Sequence, residues 1–313
     1  MAVEKTATTN TAAAWDVART TKESALRRLW RTIREHRTLL AGLLILAVVL
    51  FVVAAGPALT PYDPLKTNPA IKLQPPSFPS AGLRTGFSEG AHPMGTDNFG
   101  RDILSRVIHG ARLDLPIAFS VVAIALGIGS MVGTLSGYYG GLVDDVVMRV
   151  TDVLFAFPSF ILAMAITAML GNTTSNVIIA IAVAYIPYFI RLSRGEILKA
   201  RELDYADAAR CVGNPDWRIM YVHLLPNCLT PSLVQATLCL GWAILDASGL
   251  AFLGLGIRPP TPEWGVLVSE GAQNIISGHW WTSVFPGAVI VFTALGFNLV
   301  SDSLRDITAP EER

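Results

Sequence analysis

Six stretches of the chain are apolar enough to cross a membrane. Their approximate bounds are Leu39–Ala55, Leu115–Leu135, Val153–Leu170, Thr173–Leu192, Leu229–Leu255 and Trp280–Val300. A helix needs about 20 mostly apolar residues to cross the roughly 30 Å of hydrocarbon in a bilayer. Pro187 interrupts the fourth stretch, which a span tolerates because neighbouring groups satisfy the freed backbone. The pattern predicts an all-α membrane protein with six transmembrane helices.

A long polar segment separates the first two spans. It is rich in proline from Pro57 onward, and proline at this density denies backbone donors to helix and sheet. Asp97 is a candidate cap for an amphipathic helix that follows it. The apolar positions of that helix recur at helical spacing, while its other face is polar: Phe99, Ile103, Leu104, Val107 and Ile108 against Arg101, Asp102, Arg106 and His109. We expect a surface helix that is either solvated or in contact with an external partner.

The placement of charge, rather than its total, sets the predicted orientation. Charged residues make up only 15% of the 313 residues, and the 24 Lys and Arg balance the 24 Asp and Glu, so bulk charge does not point to a nucleic-acid partner. With a cytoplasmic N-terminus, 17 Lys and Arg fall in the inside segments and 7 in the outside segments. The positive-inside bias therefore places both termini in the cytoplasm.

This orientation divides the chain into five expected regions. A basic tail, with arginines from Arg27 beside apolar residues, is expected to lie on the inner leaflet, where anionic lipid attracts it, or to act only as a topology signal. The regions are a cytoplasmic tail at 1–38, a first transmembrane helix at 39–56, an extracytoplasmic loop with an amphipathic helix at 57–112, a five-helix core at 113–306 that includes a cytoplasmic loop at 195–226, and a cytoplasmic tail at 307–313.

The loop between the fourth and fifth spans is polar and helix-forming. It runs from Tyr205 to Asn227 and lies on the predicted cytoplasmic side, with Arg and Lys on its approach. An ordered insertion of this length between two spans is typical of a docking surface for a soluble partner. We therefore expect this loop to bind such a partner.

The residues of this loop resemble the "EAA" loop of bacterial ABC importer permeases. The matching positions are Asp207, Ala208, Ala209, Gly213, Leu225 and Pro226, with Asp in place of the usual Glu. His223 stands where the peptide-importing branch commonly carries His. The string Gly95-Thr-Asp-x-x-Gly-Arg-Asp102 and the segments around Asp246 and Pro259–Gly265 are also similar to dipeptide and oligopeptide permeases. The resemblance covers about two-thirds of the chain.

The resemblance implies a type I ABC importer permease fold in the bacterial inner membrane. It also implies a second homologous permease, in a heterodimer, two P-loop ATPases in the cytoplasm and an extracytoplasmic solute-binding protein. Gly213 would permit a tight turn and Pro226 would end the coupling lever. The expected ATPase-coupling residues are Tyr205, Asp207, Ala208, Ala209, Gly213, Asp216, His223, Leu225 and Pro226. The substrate within the branch stays open among dipeptides, longer peptides, glutathione, nickel complexes and glycosides.

Two features inside the spans carry further predictions. Gly129, Gly133 and Gly137 recur every four residues on one face of the second span, a spacing that lets two helix backbones approach closely. Asp246 lies within the fifth span, where a carboxylate exposed to lipid costs a few kcal/mol. It is either a pathway or interface residue, or a carboxylate bonded to Ser248 or to a neighbouring helix.

Other chemistries find little support in the sequence. The chain has no G-x-x-x-x-G-K-[ST] phosphate loop, so we expect ATP to be bound by partner subunits and the chain itself to be no enzyme. The five histidines are scattered, the three cysteines lack CxxC spacing, and Asp144-Asp145 suits solvated charge better than acid–base work. No cofactor or metal is expected. The alternative is a secondary transporter or channel that uses Asp246 as an ion or proton site; a membrane-embedded enzyme lacks a nucleophile–base pair.

Overall fold

The computed structural model describes residues 36–60, 62–77 and 91–308. The expected tail helix around Arg27 and the last residues of the chain lie outside this part. Within it, the regular elements are helices, with no strand. They are α1 (Arg37–Leu59), a 3-10 turn (Pro69–Ile71), α2 (Ile103–Tyr139), α3 (Gly141–Phe155), α4 (Ser159–Leu170), α5 (Thr174–Ala200), α6 (Asp204–Cys211), α7 (Asp216–Arg218), a π-helix (Ile219–Leu224), α8 (Leu225–Phe252), α9 (Trp264–Ile275) and α10 (Trp281–Thr308).

Within the described ranges, five helical segments are long and apolar enough to cross a membrane, and a sixth span results if α3 and α4 count as one. The prediction of an all-α membrane protein is confirmed. The third predicted span is not straight, because α3 and α4 meet at an angle of 89°. Pro158 lies at the break, and a proline both lacks an N–H and disfavours helix in the residue before it. Pro187, by contrast, lies inside a continuous α5.

The separate amphipathic helix predicted before the second span is wrong. α2 is one helix of 37 residues, which continues through Pro116 and corresponds to about 55 Å at 1.5 Å per residue. The predicted boundary between residues 112 and 113 therefore falls inside it. Asp102, not Asp97, caps this helix, because its side chain accepts a hydrogen bond from the N–H of Ser105 at 2.7 Å. Asp97 instead pairs with arginines.

The core forms where α2 packs along α5, with α8 and α10 beside them. Small and branched apolar side chains fill it; Val121, Ile181, Phe189 and Ile244 are fully buried. α1 packs against α10, where a Cβ on Gly42 would lie 2.9 Å from the Val300 side chain. The close approach of α1 and α10 attaches the first span to the outside of the bundle.

Candidate functional site

A helical loop caps the end of the bundle at which α2 and α5 finish and α8 begins. It comprises α6, α7 and the π-helix, and it covers the segment expected from sequence to bind a soluble partner. Ala206 on α6 is fully buried. It belongs to a small apolar cluster, separate from the main core, that consists of Ile197, Ala200, Ala206, Ile219, Leu224 and Cys228. One face of α6 is thus fixed to the bundle and the opposite face is left exposed.

Polar contacts tie this loop to the end of α2. The Tyr138 hydroxyl donates to the Asp216 carboxylate at 2.8 Å. The Arg201 guanidinium donates to the carbonyl of Gly137 at 2.9 Å. The Arg210 guanidinium lies over the Tyr138 ring, 5.8 Å from its centre. These contacts join the end of α5, α6 and α7 to the same end of α2.

The structure places all nine predicted coupling residues in or beside this loop. Gly213 has a φ of +83°, a left-handed conformation that favours glycine and forms the turn between α6 and α7. The side chains divide by exposure. Tyr205, Asp207, Ala208, Gly213, Asp216 and Pro226 are exposed, whereas Ala209, His223 and Leu225 are half-buried. Their role in coupling stays a prediction.

Pro226 does not end the helical path between the loop and the fifth predicted span, which corrects one detail of the prediction. α7, the π-helix and α8 follow one another without a gap, so the helical path runs from Asp216 to Phe252. Pro226 lies in the first turn of α8, a position where proline is tolerated, and the wider π-helix precedes it. The loop therefore connects to its span as a nearly continuous helix.

Sequence reasoning missed the apolar part of the loop surface. The side chains of Leu203, Val212 and Trp217 are 51%, 82% and 57% exposed. The exposed acids Glu202 and Asp204 flank Leu203. Exposed apolar groups rimmed by charge are typical of protein–protein contacts. Trp217, a tryptophan in an otherwise polar segment, was the signal available in the sequence.

The three glycines of α2 lie directly against α5. A Cβ on Gly129 would lie 2.5 Å from the Cβ of Phe189, and one on Gly133 would lie 2.5 Å from the carbonyl oxygen of Ile190. At Gly137 the nearest atom is the carbonyl oxygen of Arg194, at 2.9 Å. The backbones of α2 and α5 therefore approach more closely than any side chain allows.

Next to this contact, Arg194 holds Asp144 with two hydrogen bonds of 2.5 Å. Asp144 also accepts from the Ser136 hydroxyl at 2.5 Å. The expectation of solvated charge at Asp144-Asp145 is thus wrong for Asp144, whose partner lies 50 residues away in the sequence; Asp145 is exposed. The Arg194–Asp144 ion pair joins the start of α3 to α5.

Asp246 is half-buried on α8, and its partner comes from α5. The Tyr185 hydroxyl donates to its Oδ2 at 2.8 Å. Of the two bonded arrangements expected from sequence, the bond to a neighbouring helix is present, and the bond to Ser248 is not. Aromatic rings lie alongside: the ring centres of Tyr188 and Trp242 are 6.0 Å apart, and Phe155 from α3 is 4.9 Å from Tyr188.

At the other end of the bundle, the residues expected on a polar surface form a buried ion cluster. Arg106 is 1% exposed and donates to Asp97 at 2.6 Å and to Glu270 of α9 at 2.8 Å. Arg101 donates to the same two carboxylates, at 2.6 and 3.0 Å. A solvated helix face at Arg101 and Arg106 is therefore wrong, because the acid of α9 that covers them could not be placed from local sequence.

A second buried pair joins α2 to the segment before α9. The carboxyls of Asp114 and Glu263 are close enough to interact electrostatically, and Oδ1 of Asp114 and Oε1 of Glu263 are buried without a hydrogen-bond partner among the described residues. Through its other oxygen, Asp114 accepts from the N–H of Trp264 at 3.1 Å, and Glu263 likewise accepts from the N–H of Val266 at 2.7 Å. Burial raises the pKa of Glu263 above its usual range. Two neighbouring carboxyls in a buried site disfavour each other's ionisation.

The described part of the chain contains no group of three or more His, Cys, Asp or Glu side chains placed to hold a metal ion. The cysteines there are free thiols; Cys211 is exposed, and Cys228 and Cys239 are buried. The structure thus offers two ends of a helical bundle joined by spans, with an exposed surface of acidic and apolar side chains at the α6–α7 end.

Comparison with known proteins places these features in a family. The family model described as binding-protein-dependent transport system inner membrane component matches residues 125–313, and that of the N-terminal TM domain of oligopeptide transport permease C matches residues 24–76. The inward-facing MetNI methionine ABC transporter shares the fold, with a TM-score of 0.51 and 20% identity over 66% of this chain and 98% of that chain.

Curated relatives match over nearly the whole length. The dipeptide transport system permease protein DppC of Alkalihalophilus pseudofirmus is 40% identical over 93% of this chain and 91% of its own. The di/tripeptide transport system permease protein DppC of Pseudomonas aeruginosa is 40% identical over 92% and 93%. The glutathione transport system permease protein GsiD of Pectobacterium atrosepticum is 38% identical over 91% of each chain.

Proposed function

Because this chain belongs to the binding-protein-dependent transport system inner membrane components, we propose that it is a permease subunit of an ATP-driven peptide importer. The predicted family is thereby confirmed, and the chain is a multi-pass inner-membrane protein. Peptides are the proposed substrate class, since the similar proteins named above carry dipeptides, di- and tripeptides or glutathione.

The observation that carries the mechanism is the anchored loop of α6 and α7. Its exposed surface combines the acids Asp207 and Asp216 with the apolar side chains of Val212 and Trp217. A cytoplasmic ATPase would bind this surface, and closure of an ATPase pair on ATP would move the loop. Because Tyr138 and Asp216 bind each other, the movement would reach α2 as well as α8.

The proposed assembly contains a second homologous permease, which completes the path in a heterodimer, two P-loop ATPases and an extracytoplasmic solute-binding protein. The lack of a phosphate loop in this chain supports the division of labour, in which the partner subunits bind and hydrolyse ATP. Purified chain that turned over nucleotide with no ATPase partner detectable by mass spectrometry would contradict this division.

Charge reversal at Asp207 tests the coupling surface with little risk to the fold. Its pair with Arg210 is largely exposed, with side chains 65% and 41% accessible, and exposed pairs contribute at most about 1 kcal/mol. We expect Asp207→Arg to leave the protein inserted but to reduce peptide uptake per ATP hydrolysed in the reconstituted complex. The matched control is Asp306→Arg, which reverses an exposed acid on α10.

The orientation is tested independently by a cysteine at position 207. We expect a membrane-impermeant thiol reagent to reach it only in inside-out vesicles. Labelling in intact cells would overturn both the topology and the ATPase contact. Uptake that persists without ATP and stops when the proton gradient is removed would instead support a secondary transporter.

A further inference from the structure

Asp246 has no cation of its own within the described part of the chain. One oxygen, Oδ2, accepts from Tyr185, and the other makes no hydrogen bond to the described residues yet is not enclosed. Arg191, the basic residue nearest to this aromatic group, lies 4.2 Å over Phe155 and is paired with Asp152 at 2.6 Å. The span therefore presents an accessible carboxylate oxygen without a neutralising partner.

Aromatic rings lie on the same side of α8 as Asp246. Trp242 precedes Asp246 by one helical turn on α8, so both side chains lie on the same face. Tyr188 of α5 faces Trp242 edge-on, and Phe155 of α3 closes the group behind it. Tyr188 and Trp242 are only half-buried. A partly exposed aromatic surface therefore lies beside Asp246, formed by side chains of α5 and α8.

A carboxylate next to half-open aromatic rings is suited to bind an organic cation. The carboxylate supplies a charge-assisted hydrogen bond, and the rings attract positive charge through their faces. A carboxylate inside a span is costly unless it has a partner. Since the described residues around Asp246 offer hydroxyl, thiol and ring groups but no cation, the partner is expected from outside the chain.

We propose that Asp246, with Tyr188 and Trp242, binds the α-ammonium group of a peptide as it passes along the exposed side of α5 and α8. This inference rests on the proposed function as a peptide permease and adds a specificity site to it. Tyr185 is a positioning residue, because its hydroxyl holds one carboxylate oxygen and leaves the other without a hydrogen bond to the described residues. A peptide whose amine is blocked lacks the group that the site binds.

The test uses the complete importer in proteoliposomes, with dialanine and its N-acetyl derivative as probes. We expect Asp246→Asn to lower the initial uptake of dialanine about ten- to a hundredfold, the value of one hydrogen bond to a charged group. N-acetyl-dialanine uptake should be unchanged by the substitution. The ratio of wild-type to variant uptake for each probe cancels the preference of the binding protein. Asp302→Asn, an exposed acid on α10, is the control for loss of a carboxylate.

A pH series gives a second measurement that needs only the natural amine. The α-amino group of a peptide loses its proton near pH 8. The ratio of wild-type to Asp246→Asn uptake of dialanine should therefore fall toward one as the pH rises from about 6.5 to about 9.5. The titratable groups around Asp246 are Tyr185 and Tyr188 from α5, Cys239 from α8 and, beyond Phe155, the Arg191–Asp152 pair.

The outcomes separate this inference from the proposed function. Equal loss for both probes, with a ratio independent of pH, would overturn ammonium binding and indicate a cation from the second permease. Uptake of dialanine by the Asp246→Asn variant at the wild-type rate would also overturn ammonium binding. If the wild-type complex took up neither probe in an ATP-dependent manner, the proposed function itself would fail.

Discussion

The contact between α2 and α5 permits a quantitative prediction with an internal control. Gly133 faces α5, and a Cβ there would lie 2.5 Å from the Ile190 carbonyl oxygen and 3.0 Å from the Cβ of Ser193. Gly127 is on the same helix, and a Cβ there would have no atom within 4 Å. Gly133→Ala and Gly127→Ala therefore make the same chemical change in two different surroundings.

The magnitude follows from the two positions. Alanine favours a helix over glycine by up to about 1 kcal/mol at both sites. At Gly133 the helices must also separate by about 1 Å to restore van der Waals contact, and overpacking of this kind costs about 1–3 kcal/mol. The gain in helix propensity is the same in both variants and cancels in the comparison. We therefore expect Gly133→Ala to be less stable than Gly127→Ala by about 1–3 kcal/mol.

The assay is equilibrium unfolding of the detergent-solubilised chain in mixed micelles, followed by circular dichroism. The wild type should lie between the two variants or close to Gly127→Ala. Equal stability of the two variants would show that α2 and α5 are not in close contact in the protein, and would remove the packing role of the glycine stripe.

Three further predictions concern the ends of the bundle. Burial raises the pKa of Glu263 in the folded state, so its contribution to stability is fully present below the unfolded pKa and is lost as pH rises through the folded one. Thermal unfolding of Glu263→Gln should lose this decrease with rising pH, since the amide does not titrate. Arg106→Met should lower unfolding stability by about 3–5 kcal/mol, because two buried carboxylates lose a partner; a loss below about 1 kcal/mol would contradict the buried cluster. Trp217→Ala should weaken ATPase binding in pull-down of the complex while melting at the wild-type temperature, and unchanged binding would remove Trp217 from the docking surface.

The positions of the spans and of the coupling loop were predictable from the sequence because both depend on local pattern. A run of about 20 apolar residues is sufficient for a span wherever it folds. A polar helical segment such as Tyr205–Asn227 cannot lie in hydrocarbon, so it must emerge from the bundle. The exposed face of α6 follows from the same logic, since Ala206 is the only residue of that helix that is buried.

The partners of the polar side chains could not be predicted. Asp97 is a plausible helix cap, and only the position of Glu270 on α9, more than 160 residues later, makes it part of an ion cluster. The bend between α3 and α4 is a similar case, because Pro187 has the same local chemistry as Pro158 and yet lies in an unbroken helix.

What the sequence by itself determined about this protein is its membrane nature, its family and the segment that leaves the bilayer, since these follow from composition, periodicity and short motifs. Only the tertiary structure decided which charges are buried together, that Asp114 and Glu263 lie next to each other, and that Asp246 is bonded to Tyr185 and open on its other oxygen. The physical reason is that apolar burial is set residue by residue, whereas the state of a buried polar group depends on the group that meets it.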